Sequence, residues 1–466
     1  MNLLDRFGAF LILPFLIQSL TKAEYSVWSQ FIILPPIIAT ILSFGLERGI
    51  LNFFANDEKK NVEQSSLALI MLTSFLLIFI FYFISVVNSE LVINFIFGLN
   101  LSINFLNLIF LMILSETLFL LASSYQRAKL FFNYLSTYLF IRFVLKILTV
   151  IWLIYFAKMN LEDALGFYIF LLLFTSCLFI FFIFYRSDIS FLGCKDFILS
   201  LIKYSFPLLL AGLIFPSLLI GGRQTLLLNG GPEILADFSL GFSILGIPSV
   251  LFAMLNFIFF TYMANLHNSR KFEKLTKFFK EYFALNLFLF ICVISFLMFN
   301  LDYIYILLGA SEYILKIETI VLFGLMFFAQ FMYEAFYRLM ILNKDTKQVL
   351  ICNISALLLS LIYIFIFSIL NLENLLVAIT IYYSFSFIFL GSLLIMDRRL
   401  FIGGSYFYHA LLLIGVQLVS SIAILNINLS KYEIFHLSLG IAFIVAFIDF
   451  YSKNSIIKLF YNLVSK

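Results

Sequence analysis

The sequence predicts an all-α polytopic membrane protein with about fourteen transmembrane helices, and three observations carry that expectation. Of 466 residues, 64% are hydrophobic and only 12% are charged, where soluble domains carry roughly 45–50% apolar and about 25% charged residues. The apolar residues fall in runs of about twenty, the length that crosses a hydrocarbon core as a helix. The lysines and arginines between these runs collect at alternate breaks. A soluble enzyme, a disordered chain and a soluble domain with one anchor are excluded. Barrel strands are excluded too, because the runs lack period-two alternation and a spanning backbone must satisfy its own hydrogen bonds.

The runs lie at 3–20, 27–46, 66–87, 104–124, 137–157, 164–185, 206–228, 237–260, 282–300, 317–337, 349–370, 375–396, 407–427 and 432–451. The first contains Asp5 and Arg6. With the N-terminus in the cytoplasm, 22 of the 29 Lys and Arg fall on the cytoplasmic side. Lys22, Lys158, Lys316 and Lys431 fall outside, and Arg142, Lys146 and Arg223 fall within spans. This bias predicts an even number of spans and two cytoplasmic termini. A bacterial cytoplasmic (inner) membrane location is expected.

Other features exclude function classes. The 63 Phe are read as lipid-facing and buried bulk. A net charge of +4 is too small to suggest a nucleic-acid partner. The four cysteines (Cys177, Cys194, Cys292, Cys352) and three histidines (His267, His409, His436) are scattered, which suggests neither a metal site nor a disulfide framework. No cleavable signal, Walker loop, zinc motif or nucleophile elbow is present. The expected outer loops are short, which leaves little room for a catalytic domain. The chain is therefore expected not to be an enzyme and to use no cofactor.

A shift of 213 residues lays the map on itself. Span 66–87 falls on 279–300, span 104–124 on 317–337, and Ala23-Glu24-Tyr25-Ser26 on Ala236-Asp237-Phe238-Ser239, with Pro35 on Pro248. Six spans are an even number, so the copies share one orientation and are expected to be related by an axis along the membrane normal. The organisation expected is an N-terminal six-helix bundle at 1–205 and a C-terminal six-helix bundle at 206–400. Two extra helices and a cytoplasmic tail follow at 401–466. A substrate path is expected between the bundles.

Ionisable residues within spans are the candidate site, because a charge at mid-bilayer costs about 2.5–3.5 kcal/mol on insertion scales and usually faces protein or water. Arg223 lies about five residues from the outer end of its span and either lines a cavity or snorkels outward. Arg142 and Lys146, spaced i,i+4, share one helix face and repel unless water or an anion lies between them; the alternative is an interfacial anchor. Glu116 is a proton site, a counter-ion to a neighbouring helix or one half of a purely structural pair, and Asp237 is grouped with it as a coupling or counter-ion candidate. Arg48, beside Glu47, lines a cytoplasmic mouth or is an orientation signal. Glu334 and Arg338 are expected to pair. The segment 270–280 reads as a basic amphipathic helix that lies on anionic headgroups or simply fixes orientation.

The stretch Leu20-Thr21-Lys22-Ala23-Glu24-Tyr25-Ser26-Val27-Trp28 and then Phe44-Gly45-Leu46-Glu47-Arg48-Gly49-Ile50 resemble the start of bacterial polysaccharide flippases. Tyr204-Ser205-Phe206-Pro207-Leu208 resembles the family's opening of helix seven, and Arg223 the Arg that often ends it. Ser26 stands where Gly is usual, and Gly222 where Asp is common. The resemblance, to the multidrug/oligosaccharidyl-lipid/polysaccharide exporter superfamily, implies a MATE-like fold of two six-helix bundles around a central cavity. It implies a flippase that moves undecaprenyl-diphosphate-linked oligosaccharide, of O-antigen or capsule type, by alternating access. It also implies contact with membrane lipid and with the polysaccharide polymerase and chain-length machinery. Under this reading Arg223, Arg142, Lys146 and Arg48 bind substrate, since cationic side chains give a diphosphate charge-assisted hydrogen bonds. Glu116 and Asp237 serve coupling or act as counter-ions. The alternatives are a cation-coupled multidrug exporter of the same fold and a membrane polysaccharide polymerase.

Overall fold

A computed structural model describes residues 2–54, 60–129, 131–185, 194–247 and 300–310, with single residues and short stretches between 259 and 354. Most of the expected spans from 282 onward, the Glu334–Arg338 pair and the region 401–466 lie outside the described residues. The chain divides into two compact units, 1–239 with 308–310 and 240–307 with 311–466. The first unit runs past the repeat boundary expected at 205/206.

The described residues are helical. The elements are α1 (Asn2–Ser19), α2 (Lys22–Leu42), α3 (Leu46–Phe53), α4 (Lys60–Val87) and α5 (Ser89–Phe97). Then follow α6 (Ile103–Ala128), α7 (Phe132–Leu148), which continues as a π-helix over Thr149–Phe156, α8 (Leu161–Phe184), α9 (Cys194–Leu245) and α10 (Leu301–Leu308). Among the described residues, five stretches are long and apolar enough to cross a membrane: Lys22–Leu42, Val62–Val87, Ile103–Ala128, Asn133–Phe156 and Leu161–Phe184. They coincide with the second to sixth spans expected from hydropathy.

Local sequence sets the boundaries. The Thr21–Trp28 stretch is a helix start: the Thr21 hydroxyl accepts from the Glu24 amide at 3.3 Å, and the Glu24 carboxylate accepts from the Thr21 amide at 2.9 Å. This reciprocal box satisfies two amides that an α-helix leaves orphaned. Tyr25 and Trp28 are buried just inside it, with Trp28 6.0 Å from Tyr168 of α8. The Phe44–Gly49 stretch is a turn. Gly45 sits at φ +62, and its amide bonds the Thr40 carbonyl at 3.0 Å. The chain then re-enters a short amphipathic helix, α3, which sends Leu46 and Ile50 into the core with Phe54.

α6 lies at the centre of the first unit and packs on α2, α3, α4 and α8. α4 presents Leu72, Phe75, Leu76, Phe79, Ile80, Phe83, Ile84 and Val87 outward, as a lipid-facing stripe should. At one end, Glu162 of α8 accepts from Ser102 and Asn104 at 3.1 and 2.7 Å and so ties the starts of α6 and α8 together. The π turn ending α7 shows as Ala157 N bonding the Trp152 carbonyl, five residues back, at 2.9 Å. It rests on α1, with Tyr155 edge-on to Phe15 at 5.2 Å. α9 is two helices joined across a kink at Gly231, whose φ of 80 and ψ of 177 are open to glycine almost alone. Pro232 then occupies the first turn of the new helix, where a missing N–H costs nothing. In the second unit, Phe242 meets Phe323 and Phe327 at 6.5 and 5.3 Å.

Two close approaches hold α3 to α9. A Cβ on Gly49 would come within 2.3 Å of the Ser205 hydroxyl oxygen and 2.9 Å of Leu201 Cγ, whereas one on Gly221 meets nothing within 4 Å. Overpacking of this kind typically costs about 1–3 kcal/mol. Gly49→Val is therefore expected to lower the thermal midpoint of the detergent-solubilised protein by several degrees and Gly221→Ala to leave it unchanged, as read by size-exclusion after heating.

Candidate transport site

Two charged clusters lie away from the helix ends of the first unit, and a third lies at one end. Arg223 is 1% exposed and is among the largest fully buried side chains. α2 receives it. Its Nη2 donates to the Ser29 hydroxyl at 2.7 Å and its Nε to the Gln30 side-chain oxygen at 3.4 Å. Gln30 in turn donates to the Ile96 carbonyl at 3.0 Å, and Ser29 lies 3.2 Å from Ser239. The Ser239 hydroxyl also donates to the Leu235 carbonyl at 2.6 Å. Two turns along α2, Lys22 pairs with Asp237 at 2.9 Å, both about a fifth exposed. The start of α2 thus lies against the part of α9 beyond Gly231, and these are the two stretches that the 213-residue repeat superimposes.

The second cluster joins α6, α7 and α8. Arg142 Nη2 bonds Glu116 Oε1, and its guanidinium carbon stands 4.0 Å from the centre of the Phe119 ring. Glu116, Arg142 and Lys146 are 8%, 6% and 7% exposed, so all three are buried. One turn before Arg142, Tyr138 stacks on Phe179 at 4.2 Å and shares a hydrogen bond of 2.7 Å with Ser176, which lies 3.4 Å from Ser115. Arg142, the first of the i,i+4 cations, therefore has a protein carboxylate beside it. The partner of Glu116 thus stands on a neighbouring helix, 26 residues away in sequence.

The third cluster sits where α4 begins and α6 ends. Lys129 pairs with Glu63 at 2.7 Å, with side chains 4% and 0% exposed. Arg127 holds the Ser123 carbonyl and the Ser124 hydroxyl at 3.3 and 3.0 Å, and Ser43 donates to Glu47 at 3.4 Å. Arg48 lies on α3, next to Glu47.

Several of these residues escaped the sequence reading. Ser29, Gln30 and Ser239 are uncharged polar residues within or beside apolar runs; the signal was the Ser26, Ser29, Gln30 spacing, which puts three polar groups on one helix face. Glu63 and Lys129 fall outside the apolar runs, but α4 begins at Lys60 and Lys129 caps the end of α6, so both enter the packed end. Among the described residues no group of three or more His, Cys, Asp or Glu could hold a metal ion.

This arrangement is that of a polytopic helical bundle with its internal charges held between helices. No protein-family model matches the chain, and no curated protein matches it. Solved structures do. An inward-facing multidrug-resistance MATE family transporter of the MOP superfamily superposes with a TM-score of 0.60 at 16% identity, over 85% of this chain and 94% of the other. An outward-facing structure of such a transporter gives 0.54 at 13% identity, over 85% and 92%. A MOP superfamily transporter from Pyrococcus furiosus Vc1 (DSM3638), whose binding pocket of reverse polarity suggests a different function, gives 0.52 at 15% identity, over 86% and 95%. The chain has the MATE transporter fold.

Removing one partner of a buried ion pair costs about 3–5 kcal/mol, because it strands the other charge, while removing both costs less. Glu116→Gln and Arg142→Gln are each expected to destabilise the protein strongly, and the double variant to recover part of the loss. Thermal midpoints of the four proteins at matched lipid and detergent check this.

Proposed function

We propose that this chain is a membrane transporter that works by alternating access and carries an anionic lipid-linked oligosaccharide, of the undecaprenyl-diphosphate type, between leaflets. One observation carries the reading. Away from the helix ends, the described spans hold Arg142, Lys146 and Arg223 against Glu116. A net cationic interior suits a diphosphate headgroup and suits a cationic drug poorly. The MATE transporter fold supports transport rather than catalysis, and the similar proteins include both inward- and outward-facing forms.

In this reading the apolar tail stays in the bilayer while the headgroup follows cationic side chains. Arg142 and Lys146 lie toward the cytoplasmic side and Arg223 toward the outer side, with both termini cytoplasmic. Arg48 serves the cytoplasmic mouth. Glu116 keeps Arg142 in place between cycles and releases it when an anion competes. Asp237, with Lys22, closes the outer end. The bacterial inner membrane is the location proposed, with the polysaccharide polymerase and chain-length machinery as neighbours. The second reading, a cation-coupled multidrug exporter, draws on the drug-resistance description of the similar structures and on Glu116 as a coupling carboxylate.

A deletion strain separates the two. Loss of surface polysaccharide, with lipid-linked units retained in the inner leaflet, is expected under the first reading; drug sensitivity alone would favour the second. Complementation by Arg223→Ala and by Arg142→Ala/Lys146→Ala is expected to fail at matched protein level. Arg223→Lys is expected to give intermediate polysaccharide, since one ammonium cannot reproduce the planar fork that meets both Ser29 and Gln30. Full surface polysaccharide in all three variants would remove these residues from the transport path.

A further inference from the structure

We propose that the corner closing the eighth span is a docking surface for anionic phospholipid headgroups. The span ends in a left-handed turn: the Arg270 amide bonds the His267 carbonyl and the Lys271 amide the Leu266 carbonyl, each at 3.0 Å, with Arg270 at φ +56. Glycine is the unstrained residue at such a helix end. This chain instead places a cation there, at a cost in backbone strain, and that cation is exposed.

The chain turns helical again at once, with the Leu275 amide on the Lys271 carbonyl at 3.0 Å. Leu275, Phe279 and Tyr282, at i, i+4 and i+7, are buried. Tyr282 lies 4.7 Å from Phe259, and Phe278 lies 4.6 Å from Tyr262, so one face of the segment is fixed by aromatic packing. Arg270 and Lys271, just before this helix, and Lys274 and Lys277 on it are all exposed, with Glu273 the one acidic residue among the described positions 269–279. In their midst stands Phe272, 54% exposed and edge-on to His267 at 5.7 Å.

A mere orientation signal needs cations somewhere in the connection. It does not need them gathered between Arg270 and Lys277 at the start of a pinned helix, beside an exposed aromatic ring. That combination is the signature of an interfacial segment, in which cations meet phosphates and the ring enters the boundary with the acyl chains. The occupant is accordingly a lipid phosphate, and phosphatidylglycerol is the probe.

The test uses the full chain in lipid nanodiscs, with Ser269→Cys labelled by an environment-sensitive fluorophore in a background whose native cysteines are replaced. The discs hold phosphatidylcholine alone or mixed with phosphatidylglycerol, each doped with a headgroup-level nitroxide quencher. Quenching is expected to be stronger with phosphatidylglycerol and to weaken at high salt in the otherwise unaltered chain. Each cation removed from the set Arg270→Gln, Lys271→Gln, Lys274→Gln and Lys277→Gln should cut the anionic-lipid preference about fivefold. Phe272→Ser should reduce quenching in both lipids while keeping the preference. Equal quenching in the two lipids, or a preference untouched by salt, would overturn the proposal. So would a label that responds to soluble polyglutamate in detergent and not to phosphatidylglycerol.

Discussion

A charged side chain inside an apolar bundle must find its partner within the protein, and this constraint organises the first unit. Arg223 cannot reach water from its buried position, so α2 supplies a hydroxyl and an amide oxygen, and the amide is itself anchored on the Ile96 carbonyl. Ser29 then serves two masters, Arg223 and Ser239. The register of α2 against both parts of α9 follows, because a shift of one residue along either helix would strand several polar atoms at once. The Glu116–Arg142 contact does the same for α6 and α7, and Glu63–Lys129 for α4 and the end of α6.

The apolar packing is arranged around these fixed points. Gly45 and Gly49 let α3 lie close against Leu209, Leu201 and Ser205 of α9, a proximity that a larger side chain would prevent. The Phe119 ring, packed on Tyr138, presents its face to the Arg142 guanidinium, and such a face attracts a cation. The same side chains that hold a cation in place at rest are the ones an anionic substrate would have to displace. That links the static network to the proposed transport: an anion entering the bundle competes with Glu116, Ser29 and Gln30 for groups already oriented toward it.

The spans were legible in the sequence because hydropathy over twenty residues is a sum, and sums are robust; the second to sixth match the helices closely. The short helices α3 and α5 were not, since eight or nine residues carry too little signal and each was absorbed into a connection. Arg142, Lys146, Glu116, Arg223 and Asp237 could be singled out, because a charge in an apolar run is conspicuous by itself. Their partners could not be. Glu116 and Arg142 are separated by 26 residues and Arg223 and Ser29 by 194, and no periodicity within one helix reports a contact between two. The repeat offered the one long-range hint, since it equated the start of α2 with the stretch of α9 that lies against it. The MATE-like architecture expected from the opening motifs agrees with the fold, while the sugar-lipid substrate rests on the cationic interior.

The account depends most on the polar shell around Arg223, which joins α2 to α9 through Ser29 and Ser239. Paired cysteine replacement, Ser29→Cys with Ser239→Cys in a chain without its native cysteines, tests that shell directly in native membranes. The hydroxyl oxygens lie 3.2 Å apart, so mild oxidation is expected to give rapid, near-complete intramolecular cross-linking, seen as a mobility shift reversed by reductant. Absence of the cross-link in folded, membrane-inserted protein would contradict the placement of Arg223 between these helices.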